Sequence, residues 1–427
     1  MKKLNIIIIF MAALMSFNMV SCSKDDLGAT IFDTTEYPLD RSSYTFPLDT
    51  FLKVNFQEPY NLRYLYKLQD IGSDMDYNLI PCSYEQSVNL ALLNKYLWYD
   101  VYKKIVGETF LKKYSPRIIH LIGSPAYNPT TGTIKLGTAE GGLKITLYNA
   151  EALTPENLEM TNEYFFKTMH HEFAHILNQN ENRPTDFDLI SNSFYNNAGW
   201  QDTPDSVALG QGFVSRYASS QAREDWVEVI ANYIVKDSIT WMNMLDGASK
   251  SWELATDVNA ARFASYFIGG TTSSSANPTS WQLKPGINRD SVGYWYRNGT
   301  TSGSEAVTYQ VVRKYIQRDA DGFAVPDGNG DIVYLSVVDK NNQETGREVI
   351  LKKLEMTREW LKTRFNYDLD AVRYEVQRRQ YMHDENDNLM LDAQGNPVNR
   401  LTYPRPDGTT LLEELRYEVD KFKALMP

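Results

Sequence analysis

A chain of 427 residues that is 42% hydrophobic and 23% charged has apolar material for a large core and the polarity of a water-bathed protein. Its 43 Lys and Arg against 54 Asp and Glu give a net charge of -11, which argues against a grip on nucleic-acid phosphates. Two cysteines exclude a disulfide framework, and no stretch after residue 21 approaches the ~20 apolar residues of a membrane helix.

Lys2 and Lys3 precede an apolar run from Leu4 to Val20, so residues 1–21 read as a secretory leader. Ser21 and Cys22 follow, then Ser23, Lys24, Asp25 and Asp26. This resembles a bacterial lipoprotein signal, with Met19 in place of the usual leucine. The resemblance implies acylation of Cys22 and membrane attachment through the lipid anchor alone. The acidic pair is similar to the surface-export signal of Bacteroidetes lipoproteins, so the expected location is the outer membrane, facing the cell surface. Residues 22–45 read as a tether.

Residues 51–56 and 61–68 predict short strands, or a strand and a turn. Ser83-Tyr-Glu-Gln86 predicts a capping box opening a helix to about Val106, with Val88, Leu92, Tyr96, Tyr99 and Tyr102 on one face and Gly107 as its stop. Cys82, the remaining thiol, is expected to be a buried filler. Residues 117–122 and 132–148 have strand character. An edge strand is expected at Leu143–Tyr148, where an extended substrate could add by backbone pairing. Thr154-Pro-Glu-Asn157 predicts a helix start with Pro155 in its first turn.

The helix expected over 161–179 carries the chemistry. Residues 170–179 read His-His-Glu-Phe-Ala-His-Ile-Leu-Asn-Gln, holding three of the five histidines in the chain. His171 and His175 are four apart, so both imidazoles leave one helical face and can reach a zinc ion at about 2.0–2.1 Å. Glu172 lies beside them, where a carboxylate can take a proton from a zinc-activated water as general base. His170 points about 100° away and is expected to be structural, as are His120 and His383. A metzincin would carry glycine at 178 and histidine at 181; Asn178 and Glu181 stand there instead.

The third ligand is therefore sought in a later helix. After a loop-rich segment, a helix is expected over 220–235, where Glu224 and Glu228 again lie four apart between Trp226, Val227, Val229 and Ile230. One of the two can bind metal while the other accepts a hydrogen bond from a ligand histidine. Two carboxylates on an apolar face are costly to bury without a cation. His-Glu-Phe-Ala-His at 171–175, the Tyr217-Ala218 pair and Glu-Asp-Trp-Val-Glu at 224–228 together resemble the gluzincin arrangement. More narrowly they resemble the substrate-import-associated zinc metallohydrolase lipoproteins of Bacteroidetes, with Val227 in place of a small residue. The resemblance spans roughly 80–270, with support from 347–382. It implies that Glu224 is the third zinc ligand, that Glu228 supports a ligand histidine, and that Tyr217 stabilises the oxyanion. It also implies association with TonB-dependent importers.

Residues 269–310, rich in Ser, Thr, Gly and Asn, predict a loose loop. Asp319, Asp327 and Gly330 share a frame with Asp384, Asp392 and Gly395, and each set predicts turn-closed hairpins. Calcium is the competing reading of these acids, but Val338 stands where an EF-hand loop starting at Asp327 needs its glutamate. Helices are expected over 347–365, with Ile350, Leu354, Thr357, Leu361 and Phe365 on one face, and over 368–382 and 410–425.

The expected fold is α+β: a zincin-like metallopeptidase core over 46–270, an insertion with a hairpin over 271–345, and a helical, hairpin-containing C-terminal extension over 346–427. The expected function is that of a lipoprotein zinc peptidase acting on a peptide or protein. The alternatives are a zinc amidase or esterase on glycan substituents, or a non-catalytic lipoprotein that binds at an importer.

Overall fold

The computed structural model describes residues 39–68, 79–127, 144–249 and 343–427, together with segments at 134–135, 137–140, 253–254, 280–282, 291–298, 308–323, 325–330 and 333–336. The leader, Cys22 and most of the tether lie outside the described residues.

The central sheet has the order β1-β2-β6-β5. Strands β1 (Arg63–Leu65), β2 (Ile118–Leu121) and β6 (Lys144–Leu147) run parallel, and β5 (Gly137–Glu140) lies antiparallel on β6. A separate two-stranded ladder joins β3 (Ala126–Tyr127) to β4 (Ile134–Lys135). The register pairs Ile119 with Ile145 and Leu121 with Leu147, all four fully buried, which fixes the core face of the sheet. The strand at 144–147 is thus interior, and the edge strands among the described residues are β1 and β5, contrary to the expectation at Leu143–Tyr148. Alternation reports which faces are apolar, not which edges are paired. Thr146 on the opposite face is buried as well, as suits a central strand.

The second correction lies at 51–56, which is helical. Helix α1 (Phe46–Leu52) starts with Pro47 in its first turn and continues through a wider, π-type turn at Lys53–Gln57. Leu48, Phe51, Leu52 and Phe56 are buried while Val54 is exposed, a helical rather than an alternating spacing. Asn61, in left-handed conformation at φ 54°, ends this run ahead of β1.

Helix α2 (Tyr84–Asn94) begins where Ser83 accepts a hydrogen bond from the Gln86 amide. The reciprocal half of the box is missing: the Gln86 side chain donates to the Ala150 carbonyl, and Glu151 accepts from the Ser83 amide. The helix runs on through Lys95–Tyr99 to Ile105, and Gly107, at φ 110°, lets the chain turn away. Cys82 is buried, and burial pushes its thiol up to about 11, as suits a filler.

The next helical run begins at Leu158, with Asn157 as its N-cap, three residues beyond the expected Thr154. The Thr154 carbonyl instead accepts from the Asn157 amide and the Thr161 hydroxyl. A π-type turn at Asn162–Phe166 leads into α3 (Lys167–Asn180). Asn162 and Gln380 exchange side-chain amide hydrogen bonds of 3.0 and 2.6 Å, tying the entry of α3 to the C-terminal segment.

Helices α4 (Ala222–Val235) and α5 (Ser238–Ala248) follow, and α4 packs along α3. Most of the expected loose region, 269–310, lies outside the described residues, but strands occur within it. A further sheet joins β7 (Glu253–Leu254), β8 (Ser280–Gln282), β9 (Ser291–Asn298), β10 (Thr308–Ile316) and β11 (Tyr334–Ser336). This sheet takes in residues upstream of 271.

Both predicted turn frames form. Backbone hydrogen bonds link residues 317, 325 and 333 in a closed triangle, and residues 382, 390 and 398 form the same triangle. Asp319, Asp327, Asp384 and Asp392 each spend a carboxylate oxygen on amides two residues on, as turn-forming aspartates do.

Helix α6 (Gly346–Phe365) is opened by a complete capping box at Thr345 and Glu348, and its predicted face is buried. Helices α7 (Leu369–Gln380) and α8 (Leu411–Asp420) complete the chain. Trp98, Tyr102, Phe110, Phe173, Phe365 and Tyr367 form one edge-to-face aromatic cluster, so α6 and the segment after it share a core with α3.

Candidate metal centre

Helix α3 divides its side chains between two neighbours. Met169, His170, Phe173 and Leu177 turn into the core, and His171 and His175 face α4. His170 is buried, with its Nδ1 2.9 Å from the Tyr102 hydroxyl, and burial lowers its pKa to about 3. It is the structural histidine the sequence predicts.

The imidazoles of His171 and His175 lie edge to face with centroids 4.8 Å apart. One oxygen of Glu224, Oε2, sits 3.2 Å from Nε2 of each ring. Nδ1 of His171 lies 2.8 Å from Glu228 Oε1. The other oxygen of Glu228 accepts from the Ser215 hydroxyl at 2.6 Å and the Asn232 amide at 3.1 Å. Ligand atoms of His171, Glu172 and His175 also fall within 4.8 Å of one another. Three carboxylates therefore border the imidazole pair, and the Glu224 oxygen is the one placed equally between the two Nε2 atoms. Fifty residues of intervening chain are closed by the packing of α4 on α3.

The electrostatics follow from burial. His171, Glu172, His175, Glu224 and Glu228 are all below 10% exposed. Burial disfavours a charged His171, but hydrogen bonds to Glu224 and Glu228 outweigh it and lift its pKa to about 10. Burial raises Glu224 and Glu228, and the imidazoles, with Lys167 for Glu228, pull both below the usual carboxylate range. Burial pushes Glu172 up. Among the described residues no lysine or arginine forms a salt bridge with Glu172 or Glu224.

This donor set fits zinc. Two imidazole nitrogens and a carboxylate oxygen converge, and Glu228 fixes the far nitrogen of His171 so that Nε2 can present its lone pair. A divalent cation would offset the negative charge that Glu172 and Glu224 bring into a buried cleft.

Residues 42–370 match the family described as "Putative zinc-binding metallo-peptidase". The chain belongs to this family. The matched residues include α3, α4 and the whole of α6 and end at the start of α7, so the family's region extends through α6. A crystal structure described as a "putative zinc-binding metallo-peptidase" from Bacteroides caccae is similar at 28% identity, with a TM-score of 0.50. The similarity covers 82% of this chain and 95% of that one. No curated protein matches.

Tyr217 stands at the mouth of the cleft, 37% exposed, with its ring 5.9 Å from that of His171. Burial and the neighbouring Glu224 raise the pKa of its hydroxyl, which therefore keeps its proton. Trp200 packs edge-on against Tyr217 at 5.0 Å. Trp200, Ser215 and Asn232 escape the sequence reading. Asn232 alone carried a signal, four residues after Glu228 on the same face.

Proposed function

We propose that this metallopeptidase hydrolyses peptide bonds with a zinc ion held by His171, His175 and Glu224, and with Glu172 as general base. The observation that carries the ligand set is the single Glu224 oxygen equidistant from both imidazole Nε2 atoms. Zinc bound there supplies Lewis acidity, polarising a carbonyl and acidifying water.

The protein's own groups do the rest. Glu172 shares the buried face of α3 with the two imidazoles and is the carboxylate that remains when Glu224 is a ligand. Its raised pKa suits a group that takes a proton from the attacking water and passes it to the leaving amine. Tyr217 keeps its proton and can donate to the carbonyl oxygen as charge develops there. Glu228 accepts from Nδ1–H of His171 and holds that ring in one tautomer and orientation. Among the described residues β5 is an edge strand, where an extended substrate could add by backbone pairing.

Glu172→Gln tests the assignment. The variant is expected to keep its zinc and fold while cleavage of a peptide library, read by mass spectrometry, falls by about 10²–10⁴. Unchanged cleavage would remove Glu172 from the mechanism.

The basic, apolar and Cys22-terminated leader supports acylation at Cys22 and an outer-membrane location. Cys22→Ser should move the protein from the membrane fraction to the soluble one.

A further inference from the structure

Beside the ligand face of α4 lies a second charged pair that the mechanism does not use. Asp225 follows Glu224 and leaves the helix about 100° round from it. Its Oδ2 lies 2.6 Å from Lys353 Nζ on α6, and both side chains are 0% exposed. Oδ2 also accepts from the Tyr195 hydroxyl at 2.8 Å. Lys353 Nζ donates to the Gly212 carbonyl at 2.8 Å and sits 4.2 Å above the Phe213 ring. Oδ1 of Asp225 has no hydrogen-bond partner among the described residues.

Stability does not account for such a pair. Removing two ions from water costs about what their attraction returns, and apolar replacements of similar volume are often as stable or more so. What the pair does achieve is connection. Through Lys353 it joins α6, α4 and the loop after Gly212, which carries Ser215 against Glu228 and Tyr217 against His171. The same loop is pressed onto α6 by two glycines. A Cβ on Gly212, at φ +86°, would lie 2.2 Å from Val349 Cγ1, and one on Gly346 would lie 2.0 Å from the Leu209 carbonyl oxygen.

We propose that Lys353 is a positioning residue: held between Asp225 and the Gly212 carbonyl, it fixes the rotation of α4 and the placement of the Ser215–Tyr217 loop, and so aims Glu224 at the imidazole pair. A helix carrying ligands on one face and an anchored ion on its flank cannot turn about its axis without breaking the buried pair. Since residues one apart on a helix differ by about 100°, a small rotation at Asp225 displaces Glu224 from the imidazoles. The inference rests on the reading of Glu224 as a metal ligand.

The test is the full-length double variant Asp225→Leu with Lys353→Met, which removes both charges and keeps the volume. Melting of the metal-free forms reads the fold, chelator competition reads zinc affinity, and the visible spectrum of the cobalt-substituted protein reads ligand geometry. The expected result is melting close to that of the parent, zinc affinity roughly 10–100-fold weaker, and a shifted cobalt spectrum. Zinc affinity and cobalt spectrum equal to the parent's would overturn the proposal. Should the double variant fail to fold, Asp225→Asn with Lys353→Gln removes both charges while keeping polar side chains of similar size. It is expected to weaken zinc binding in the same way, and unaltered binding there overturns the proposal too. Glu224→Ala separates the two ideas: if it binds zinc as tightly as the parent, the ligand reading fails, whatever Lys353 does.

Discussion

Glu224 and Asp225 are consecutive acids on one helix, equally hidden from water and oppositely provided for. Asp225 faces inward and meets a cation built into the chain, Lys353. Glu224 faces the cleft and meets two imidazoles, whose partial charge depends on pH and on a metal. One side of α4 is therefore an internal brace that is complete at all times. The other is a site completed by a cation from outside. The same helix can serve both because adjacent side chains leave it in different directions.

The contrast breaks most severely when the built-in cation is removed alone. Lys353→Met leaves Asp225 charged and uncompensated in the core, and should cost about 3–5 kcal/mol of stability, read by denaturant unfolding of the metal-free protein. On the cleft side, Glu228→Gln should leave stability nearer the parent's and weaken zinc binding about 10–100-fold, because it loosens the hold on His171. Chelator competition measures that loss.

A gentler probe is pH. In the metal-free protein His171 titrates near 10, above the ~6.5 of an unfolded histidine. Its stabilising effect is then complete below about pH 6.5 and fades as pH rises towards 10. Metal-free protein should thus lose stability through this window, and His171→Gln should flatten the loss. Zinc competes with the same proton, so its apparent affinity should rise over that range. The smallest effect is expected at the cleft mouth. Trp200→Leu, which removes the ring packed on Tyr217, should lower turnover a few-fold with zinc content unchanged. A metal analysis beside the kinetics would check it.

Much of this was legible in the residues. The i, i+4 spacing of His171 and His175 and of Glu224 and Glu228 survives folding because a helix turns that spacing into a shared face. The exclusion of His170 held for the same reason. The Ser83 cap, the buried stripe of α6 and the aspartate-led turns are local, and local chemistry settles them, whereas the second half of the Ser83 box goes to Ala150 and Glu151, far along the chain. The errors came where local pattern was silent about neighbours. Phe51 to Phe56 shows its helical spacing only together with the apolar residues before it, and alternation at 144–147 says nothing of hydrogen-bond partners.

By itself the sequence determined the chemistry on offer: two imidazoles, three nearby acids, and the helices that present them. Only the tertiary structure decided which acid meets both rings, that β6 is paired on both sides, and that a lysine some 130 residues away braces the flank of the ligand helix. Those contacts join distant segments, and they depend on how helices and strands bury one another rather than on any spacing along the chain.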